Sequence, residues 1–329
     1  MNKPVFSFLH TLRRAPYGGG NQFLLALKGA LTEMGQFSDV PDEADVILFN
    51  GHHDLEWVSK VRAELADKPF LHRVDGPMCL YNDPSDKRDS RVIVANRLFA
   101  DGTVFQSNWS LNENERLGWP RSPNQVVISN APDPAIFYSD PTRCPLSGGR
   151  VRLIATSWSS NLNKGFDVYD TLDATLDFDR YDMTFIGNAS RSFKNIVHRP
   201  PMDSAELAGA LRESDIFITA SRNDPCSNSL IEALNCGLPA IAANDGGHPE
   251  ILRSGGELFD SPEEIPELIE RICESYQGYL EKLGTPTIRD IAEEYTAFAA
   301  RLLDEQAAGR LKPKSIGVFQ KMIFKFLNR

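Results

Sequence analysis

Residues 223–239 read NDPCSNSLIEALNCGLP, and residues 240–252 continue as AIAANDGGHPEIL. The run PAIAAND is typical of a buried parallel strand, and SNSLIEALNCG has the apolar spacing of a helix. Upstream, DIFITAS (215–221) predicts another buried strand, so strand, loop, helix and strand follow one another as in a parallel α/β sheet. Ligands bind at the carboxyl ends of strands in such sheets, which makes the loop around Asp224 a candidate binding site.

The same alternation runs through the whole chain. The other predicted strands are VFSFLH, DVILFN, PFLHRVD, TVFQSN, QVVISNA, VRLIATSW and DMTFIGN, with helical patterns between several of them. Residues 130–150 are rich in proline, glycine and serine and lack periodicity, which predicts a linker. The sequence therefore predicts an α/β protein with two Rossmann-like, doubly wound domains facing across a cleft. Their predicted bounds are 1–147 and 148–287, followed by a C-terminal helix and basic tail (288–329) that packs back on the first domain.

Composition narrows the class of protein. The chain has 329 residues and a net charge of −10, which argues against general nucleic-acid binding. Its five cysteines are far apart and form no CxxC pair, so neither a disulfide framework nor a zinc site is predicted. The N-terminal segment lacks the pattern of a signal peptide, and no run has the length of a transmembrane helix. We therefore expect a cytoplasmic protein.

The C-terminal tail differs from the rest of the chain. After Glu305 there is no acidic residue, and SIGVFQKMIFKFLNR (315–329) is amphipathic if it is helical. Such a basic helix is suited to an anionic membrane surface, which predicts peripheral contact with the inner membrane face through residues 312–329. The alternative is a terminal helix that docks on the first domain.

The start of the helix after Asp224 is suited to an anion. Pro225 and Ser227 both favour helix initiation at this point. The backbone N–H groups of Ser227, Asn228 and Ser229 then point outward at the positive end of the helix dipole. Glu232 lies one turn later, within reach of a ribose, and Asp224 is placed to accept hydrogen bonds from a sugar. The alternative is structural, because acids near a helix start also complement its dipole.

The complete string Asp224-(x7)-Glu232, followed by ALNCGLPAIA and GGHPEI, resembles the nucleotide-sugar motif of GT-B glycosyltransferases, most closely family 4 (glycosyl transferases group 1). Most members carry Glu where this chain has Asp224. The resemblance implies a retaining, metal-independent transferase without a cofactor. Its donor, a nucleotide-diphosphate sugar, would bind mainly to the second domain, and its acceptor, a glycan or glycolipid of polysaccharide biosynthesis, mainly to the first.

The resemblance also assigns a basic residue for the diphosphate. In TSWSSNLNKGFDVYDTL (156–172), Lys164 with Gly165 matches the family's Lys-Gly element. The family's preceding arginine has no counterpart near Ser159, and Arg222 is a candidate to supply its charge. Lys164 and the amides at the helix start would stabilise the departing diphosphate, while Asp224 would orient the sugar.

Two glycine positions complete the predicted donor site. Gly187 ends the strand DMTFIGN, and the family uses this region and the following loop, NIVHRPP, near the nucleotide base. Gly19 and Gly20 lie in RRAPYGGGNQF (13–23), where the family has a glycine-rich loop that approaches the donor phosphates. This loop lacks the third glycine of a dinucleotide fingerprint, so an oxidoreductase is not favoured.

The acceptor-side candidates follow two strands of the first domain. HRVDGP contains His72, Arg73 and Asp75, and NGHHD contains His52. The resemblance places Asp75 where many members carry a histidine beside the transferred sugar, so Asp75 joins Lys164 and Asp224 as a predicted catalytic residue.

Other functions fit the same fold. A nucleotide-sugar epimerase or a phosphorylase is the alternative among enzymes, and a catalytically silent nucleotide-sugar-binding partner is the alternative outside them. The DxD spelling of Asp177 and Asp179 is typical of metal sites in another glycosyltransferase fold. It stands between a helix and a strand, on the sheet edge opposite the ligands, and is interpreted as a solvated turn; no metal site is predicted.

Overall fold

The computed structural model describes residues 3–13 and 18–317. The chain forms two compact units. The first unit comprises Met1–Leu12, Leu24–Ser129 and Ile288–Arg329, and the second comprises Arg13–Phe23 and Asn130–Thr287.

The first unit contains a five-stranded parallel sheet whose strands lie side by side in chain order. Four of the five strands are buried along their whole length, as expected for apolar runs covered on both faces. The strands are β1 (Phe6–Leu9), β2 (Val46–Asn50), β3 (Phe70–Val74), β4 (Gly102–Phe105) and β5 (Gln125–Val127).

Helices connect these strands, and one returns to them from the end of the chain. They are α1 (Gly19–Glu33), α2 (Leu55–Glu64), α3 (Met78–Tyr81), α4 (Arg88–Phe99), α5 (Asn108–Arg116) and the returning α12 (Ile288–Ala307). Gly102 leaves room for α12, because a Cβ atom there would lie 2.7 Å from Leu302 Cδ1 and 3.0 Å from Phe298 Cζ.

The segment after α12 is fixed to the first unit by a buried ion pair. Arg62 and Asp101 lie 3.0 Å apart with side chains 0% and 1% exposed. The backbone N–H of Lys314 donates to Asp101 Oδ1 at 2.8 Å, and Arg62 donates to the Lys314 carbonyl oxygen. Residues 318–329, which carry most of the predicted amphipathic tail, lie outside the described residues.

The second unit contains a six-stranded parallel sheet in the order β11-β10-β9-β6-β7-β8. Residues 195–201, predicted as a loop, contain the edge strand β8, which pairs with β7; the prediction missed it because its three residues are all exposed and show no burial pattern. The strands are β6 (Val151–Ser157), β7 (Tyr181–Gly187), β8 (Val197–Arg199), β9 (Ile216–Thr219), β10 (Ala240–Ala243) and β11 (Gly256–Phe259).

Helices of the second unit cover its sheet. The apolar spacing of residues 263–283 predicts a single amphipathic helix, but the structure divides them at Ser275, whose φ of −122° interrupts the helix. The helices are α6 (Phe166–Thr175), α7 (Ser204–Glu213), α8 (Asn228–Asn235), α9 (His248–Leu252), α10 (Ile265–Glu274) and α11 (Tyr276–Leu280). The predicted fold class, α/β with two parallel sheets, is confirmed.

The predicted linker, residues 130–150, contains neither helix nor strand but is held firmly against the second unit. Phe137 is buried in the core. Arg143 donates to Gly237 O and Asp215 Oδ1, both at 3.2 Å, and Asp215 also accepts from the Leu146 N–H at 3.0 Å. Its proline-rich composition therefore reflects irregular backbone rather than loose packing.

Across residues 3–13 and 18–317, no helix combines the length and apolar character that crossing a bilayer requires.

Candidate functional site

Lys164 is presented at the carboxyl edge of the second sheet by a tight turn. The turn Leu162–Lys164 follows β6, and Asn161 caps it by accepting from the Asn163 N–H at 2.9 Å. The next residue, Gly165, has a φ of +73°, and a Cβ atom there would collide with the Ala220 carbonyl oxygen. Glycine is therefore required for the lysine to reach this position.

Asp224 meets Lys164 in an ion pair that is largely buried. Lys164 Nζ lies 3.1 Å from Asp224 Oδ2 and 3.5 Å from Ser221 Oγ, and Asp224 is 8% exposed. Asp224 Oδ1 also accepts from the Cys226 N–H at 3.2 Å. Burial by itself raises the pKa of a carboxyl group, but the Lys164 ammonium and the Cys226 N–H group outweigh it and hold the pKa of Asp224 below its ordinary value. Asp224 is thus ionised at neutral pH.

A glycine-rich loop after β10 supports the Asp224 loop from behind. The Gly247 N–H donates to the Asp224 carbonyl oxygen at 2.9 Å, and the Asn223 N–H donates to Asp245 Oδ1. Gly246 has a φ of +62°, and a Cβ atom there would collide with the Asp224 backbone. The two loops are therefore packed backbone against backbone.

His248, the first residue of α9, directly follows the same loop. It is 0% exposed, and its Nδ1 is 3.0 Å from the Ala243 carbonyl oxygen. Within the described residues, its Nε2 is buried without a hydrogen-bond partner. Burial lowers the pKa of His248 and outweighs the opposing effect of Asp224, so the ring is neutral at neutral pH.

The start of α8 follows Asp224, a member of the Lys164–Asp224 pair, by a few residues in the sequence. Ser227 is the N-cap but makes no side-chain capping bond; its Oγ lies 3.2 Å from Ser229 Oγ. Asn228 Oδ1 accepts from Asn130 Nδ2 at 3.0 Å. Gly19 lies so close to the Asn228 amide that a Cβ atom there would collide with it. The first amides of α8 have no partners in the preceding helical turn and are suited to an anion.

Glu232 lies one turn into α8 and is partly buried. Burial raises the pKa of its carboxyl group to about 8. No hydrogen bond or ion pair to this carboxyl group is found in the part of the chain that the structure describes. Glu232 is therefore mostly protonated at neutral pH in the ligand-free protein.

The side chain of Arg222 and the backbone of Gly187 contact residues other than Lys164 and Asp224. Arg222 forms an ion pair with Asp167 at 2.6 Å, and this hydrogen bond lowers the pKa of Asp167. Gly187 ends β7 with a φ of +127°, where a Cβ atom would collide with the Ser157 carbonyl oxygen; its own carbonyl accepts from His198 Nε2 at 2.8 Å. Arg222 is directed to α6, so its charge is already partnered in this state.

The predicted residues of the first unit gather at the carboxyl ends of β2 and β3. His72 is fully buried, contacts Gly51 O through Nε2 at 2.9 Å and stacks on Phe49; burial lowers its pKa to about 3. His72 is thus a core residue. Arg73 is also buried and donates to Asp75 Oδ1 at 3.1 Å.

Asp75, which accepts the hydrogen bond from Arg73, is partly exposed, with 27% of its side chain accessible. Gln106, at the end of β4, donates to the same Oδ1 atom. The Asp75 carbonyl oxygen accepts from Ser110 Oγ at 3.2 Å and from Asn114 Nδ2 at 3.3 Å. Asp75 is therefore held in place on both its backbone and its side chain.

Three histidine rings meet at the ends of β1 and β2. The His53 ring lies 4.2 Å from His52 and 5.3 Å from His10, and His10 Nδ1 is 3.6 Å from Asp54 Oδ2. Burial, with help from His53, lowers the pKa of both His10 and His52 to about 4. His10 and His52 are therefore uncharged at neutral pH.

Sequence reasoning singled out neither His10 nor His248. Each stands immediately after or shortly beyond the end of a strand, so a search of all strand ends for polar residues would have found them. Asn130 was also missed, because it lies in the segment interpreted as a linker.

Parts of the chain are similar in sequence to known proteins. Residues 194–285 match the family model described as Glycosyl transferases group 1. A probable sucrose-phosphate synthase of Thermosipho melanesiensis is 26% identical over 188 residues, 56% of this chain and 42% of that protein. This chain thus spans less than half the length of that relative.

Solved structures share the fold over most of the chain. Sucrose-phosphate synthase from Thermosynechococcus elongatus has a TM-score of 0.65 at 15% identity, covering 94% of this chain and 100% of that one. HepE of Anabaena in complex with UDP-glucose has a TM-score of 0.63 at 15% identity, covering 93% and 100%. These likenesses confirm the predicted GT-B fold, and residues 194–285 are similar to the Glycosyl transferases group 1 family that the sequence motif resembles.

Proposed function

We propose that this chain, whose residues 194–285 form a Glycosyl transferases group 1 domain, transfers a sugar from a nucleotide-diphosphate sugar to a hydroxyl group of a glycan or glycolipid. The observation that carries the proposal is the buried Lys164–Asp224 pair, formed at the carboxyl edge of the second sheet. A charged pair of this kind is expected where an anionic, hydroxyl-bearing ligand binds.

The donor diphosphate would be held by Lys164 and the first amides of α8. An ammonium group has three N–H donors, so Lys164 can keep its contact with Asp224 and still donate to phosphate. The helix start adds partial positive charge. Both groups stabilise the charge that develops on the leaving diphosphate, which lowers the barrier to transfer.

Glu232 is suited to the ribose of the donor. Its carboxyl group has no other described partner, and two neighbouring ribose hydroxyls would supply two donors to it. Hydrogen bonds to the ionised form favour that form, so donor binding would lower the pKa of Glu232 from about 8.

The reaction would retain the configuration of the transferred sugar and need no metal ion. Asp224 would orient the sugar, and the acceptor hydroxyl would attack from the face that the diphosphate leaves. The departing phosphate would take the proton of that hydroxyl. A protein nucleophile has no part in this scheme.

The acceptor would bind at the carboxyl edge of the first unit's sheet. Asp75 is partly exposed there and is fixed by Arg73 and Gln106, so its carboxylate is placed to accept a hydrogen bond from a hydroxyl group. The neutral rings of His10 and His52 suit a polyol better than a phosphate.

A membrane-bound acceptor would agree with the basic residues of 312–329. Co-sedimentation with vesicles of phosphatidylglycerol and phosphatidylcholine, with and without residues 318–329, tests this part. Binding that is unchanged by the deletion would contradict it.

Binding and turnover test the donor site itself. Calorimetry with UDP, GDP, ADP and dTDP is expected to find one nucleoside diphosphate that binds. The sugar conjugate of that diphosphate is expected to be consumed when a glycan acceptor is added. Lys164→Ala is expected to abolish turnover while remaining folded, whereas Lys282→Ala, an exposed lysine of the same unit, is expected to match the parent protein. Full turnover by Lys164→Ala would overturn the proposal.

A further inference from the structure

The loop after β6 reaches two neighbouring strand ends of the second sheet. Its far end turns toward β9, where Lys164 meets Asp224. Its near end is joined to β7, because the Trp158 carbonyl oxygen accepts from Asn188 Nδ2 at 2.6 Å. Since β6 lies between β7 and β9, this loop spans the middle of the sheet edge at which ligands bind.

Trp158 presents an accessible ring on a fixed backbone. It is the first residue after β6 and is 47% exposed. The Ser157 carbonyl oxygen accepts from the Asn188 N–H at 2.9 Å, and Ser157 Oγ donates to the Ser159 carbonyl oxygen at 2.7 Å. Hydrogen bonds thus hold the backbone on both sides of Trp158, so a flat ligand can cover the indole at little cost in ordering the chain.

The neighbouring loop after β7, residues 188–196, is held by one carboxylate of α6. Asp173 Oδ1 accepts from the N–H groups of Asn195 and Ile196, both at 2.7 Å, and Oδ2 accepts from the Lys194 N–H at 2.8 Å. Asn188 fixes the other end of the loop to the end of β6. An irregular loop that is fixed at both ends can hold polar groups in place for a ligand.

The order of these groups along the sheet edge indicates which part of the donor reaches Trp158. The diphosphate of a nucleotide sugar lies between its sugar and its nucleoside. In the proposed function, Lys164 binds the diphosphate and Asp224, which follows β9, orients the sugar. The nucleoside then extends away from Asp224, toward the ends of β6 and β7, where Trp158 lies.

We propose that Trp158 recognises the nucleobase of the donor by stacking on it, and that Asp173 is a positioning residue that fixes loop 188–196 beside the base. This inference rests on the proposed function and adds to it the residues that bind the base. The indole face gives affinity for any base, because every base has an aromatic face. The fixed loop then selects among bases through hydrogen bonds to their polar edges.

Ribose 5-diphosphate separates stacking from phosphate binding, since it has the diphosphate and the ribose but no base. Calorimetry measures the dissociation constants of UDP, GDP, ADP and dTDP, and competition against the one that binds best measures that of ribose 5-diphosphate. Trp158→Ala is expected to weaken the preferred nucleoside diphosphate about five- to hundredfold, the range of one stacked base. It should bind ribose 5-diphosphate within about twofold of the parent protein.

Two further variants accompany Trp158→Ala. Trp158→Phe should keep most of the affinity for the nucleoside diphosphate, because a phenyl ring still stacks. Trp57→Ala removes a tryptophan of the first unit that is 41% exposed, and it should bind every probe as the parent protein does.

Asp173 is tested by the preference among the four nucleoside diphosphates. Asp173→Ala should reduce this preference and leave the affinity for ribose 5-diphosphate unchanged. Asp173→Asn keeps one acceptor oxygen, which can hold two of the three N–H groups, so its effect should be intermediate. Asp179→Ala, an exposed acid of the same unit, is the control. Thermal denaturation verifies that all variants are folded.

The outcomes separate this inference from the proposed function. Binding of the preferred nucleoside diphosphate by Trp158→Ala within twofold of the parent protein would overturn the inference, as would equal weakening of ribose 5-diphosphate. An unchanged preference in Asp173→Ala would overturn the role of Asp173. All of these results leave the proposed function intact. Failure of the parent protein to bind any nucleoside diphosphate would overturn the proposed function, and the inference with it.

Discussion

Lys164 Nζ and Asp224 Oδ2 lie 3.1 Å apart although the two residues are 60 positions apart in the chain. Their loops follow β6 and β9, which pair in parallel through Leu153 and Ile216. Strand pairing therefore brings the two charges to one sheet edge, and their burial makes each depend on the other.

The Lys164–Asp224 pair should be strongly coupled in stability. Lys164→Met leaves Asp224 buried without its cation, so we expect the free energy of unfolding to fall by about 1–3 kcal/mol. Asp224→Asn in the same chain should restore part of it. Urea denaturation of both single variants and the double variant measures the coupling. Additive losses would show that the two side chains act independently.

Glu232 should make stability fall as the pH rises. Its pKa is about 8 when folded against an ordinary 4.5, so between these values the folded state holds a proton that the unfolded state has lost. The free energy of unfolding should therefore decrease from pH 5 to pH 8, by up to about 1.4 kcal/mol per pH unit. Glu232→Gln should lose this dependence, and thermal denaturation at intervals of one pH unit measures it. Glu281→Gln, an exposed acid of the same unit, serves as the control and should retain the full slope.

Donor binding should release a proton through Glu232. If ribose hydroxyls bind the ionised carboxylate, the protonated form present at pH 7 must lose its proton on binding. Calorimetry of nucleoside diphosphate binding in buffers of different ionisation enthalpy measures this release. We expect a release of up to about one proton in the parent protein and none in Glu232→Gln. An equal release from both would assign the proton to another group.

Gly246 should not tolerate a side chain. Its φ of +62° and its contact with the Asp224 backbone mean that Gly246→Ala must displace one of the two loops. We expect a loss of stability of about 1–3 kcal/mol and a loss of donor binding. Gly209→Ala is the control, since nothing lies within 4 Å of a Cβ atom there and α7 should gain about 0.5–1 kcal/mol. Equal behaviour of the two variants in calorimetry would contradict the loop packing.

Arg62 should be essential to the first unit. Arg62→Ala leaves Asp101 buried without its cation and removes the bond to the Lys314 carbonyl oxygen. We expect a loss of about 3–5 kcal/mol. Lys60→Ala, an exposed change on the same helix, should alter stability by less than about 0.5 kcal/mol. Guanidinium denaturation compares them, and a small loss in Arg62→Ala would mean that water replaces the guanidinium.

Local pattern was informative where the chain is buried and regular. Continuous apolar runs located the strands of both sheets, apart from β8 and β11. The residues of β8 are exposed, and β11, GELF, is too short and too mixed in polarity to stand out. The sequence pattern did not predict the helix break at Ser275, because apolar residues continue on both sides of it. The positions of Lys164 and Asp224 at strand ends followed from the same alternation, although their roles stay predictions.

The amino-acid sequence by itself determined the α/β class, the parallel strands and the residues that end them, because hydrophobic spacing and turn residues act over a few neighbours. Only the tertiary structure decided which strand ends are adjacent and which polar atoms lose water. It paired Lys164 with Asp224, directed Arg222 to Asp167 and buried His72 in the core. It also left His248 Nε2 without a described donor. Desolvation and pairing depend on groups far apart in the chain, so no local pattern contains them.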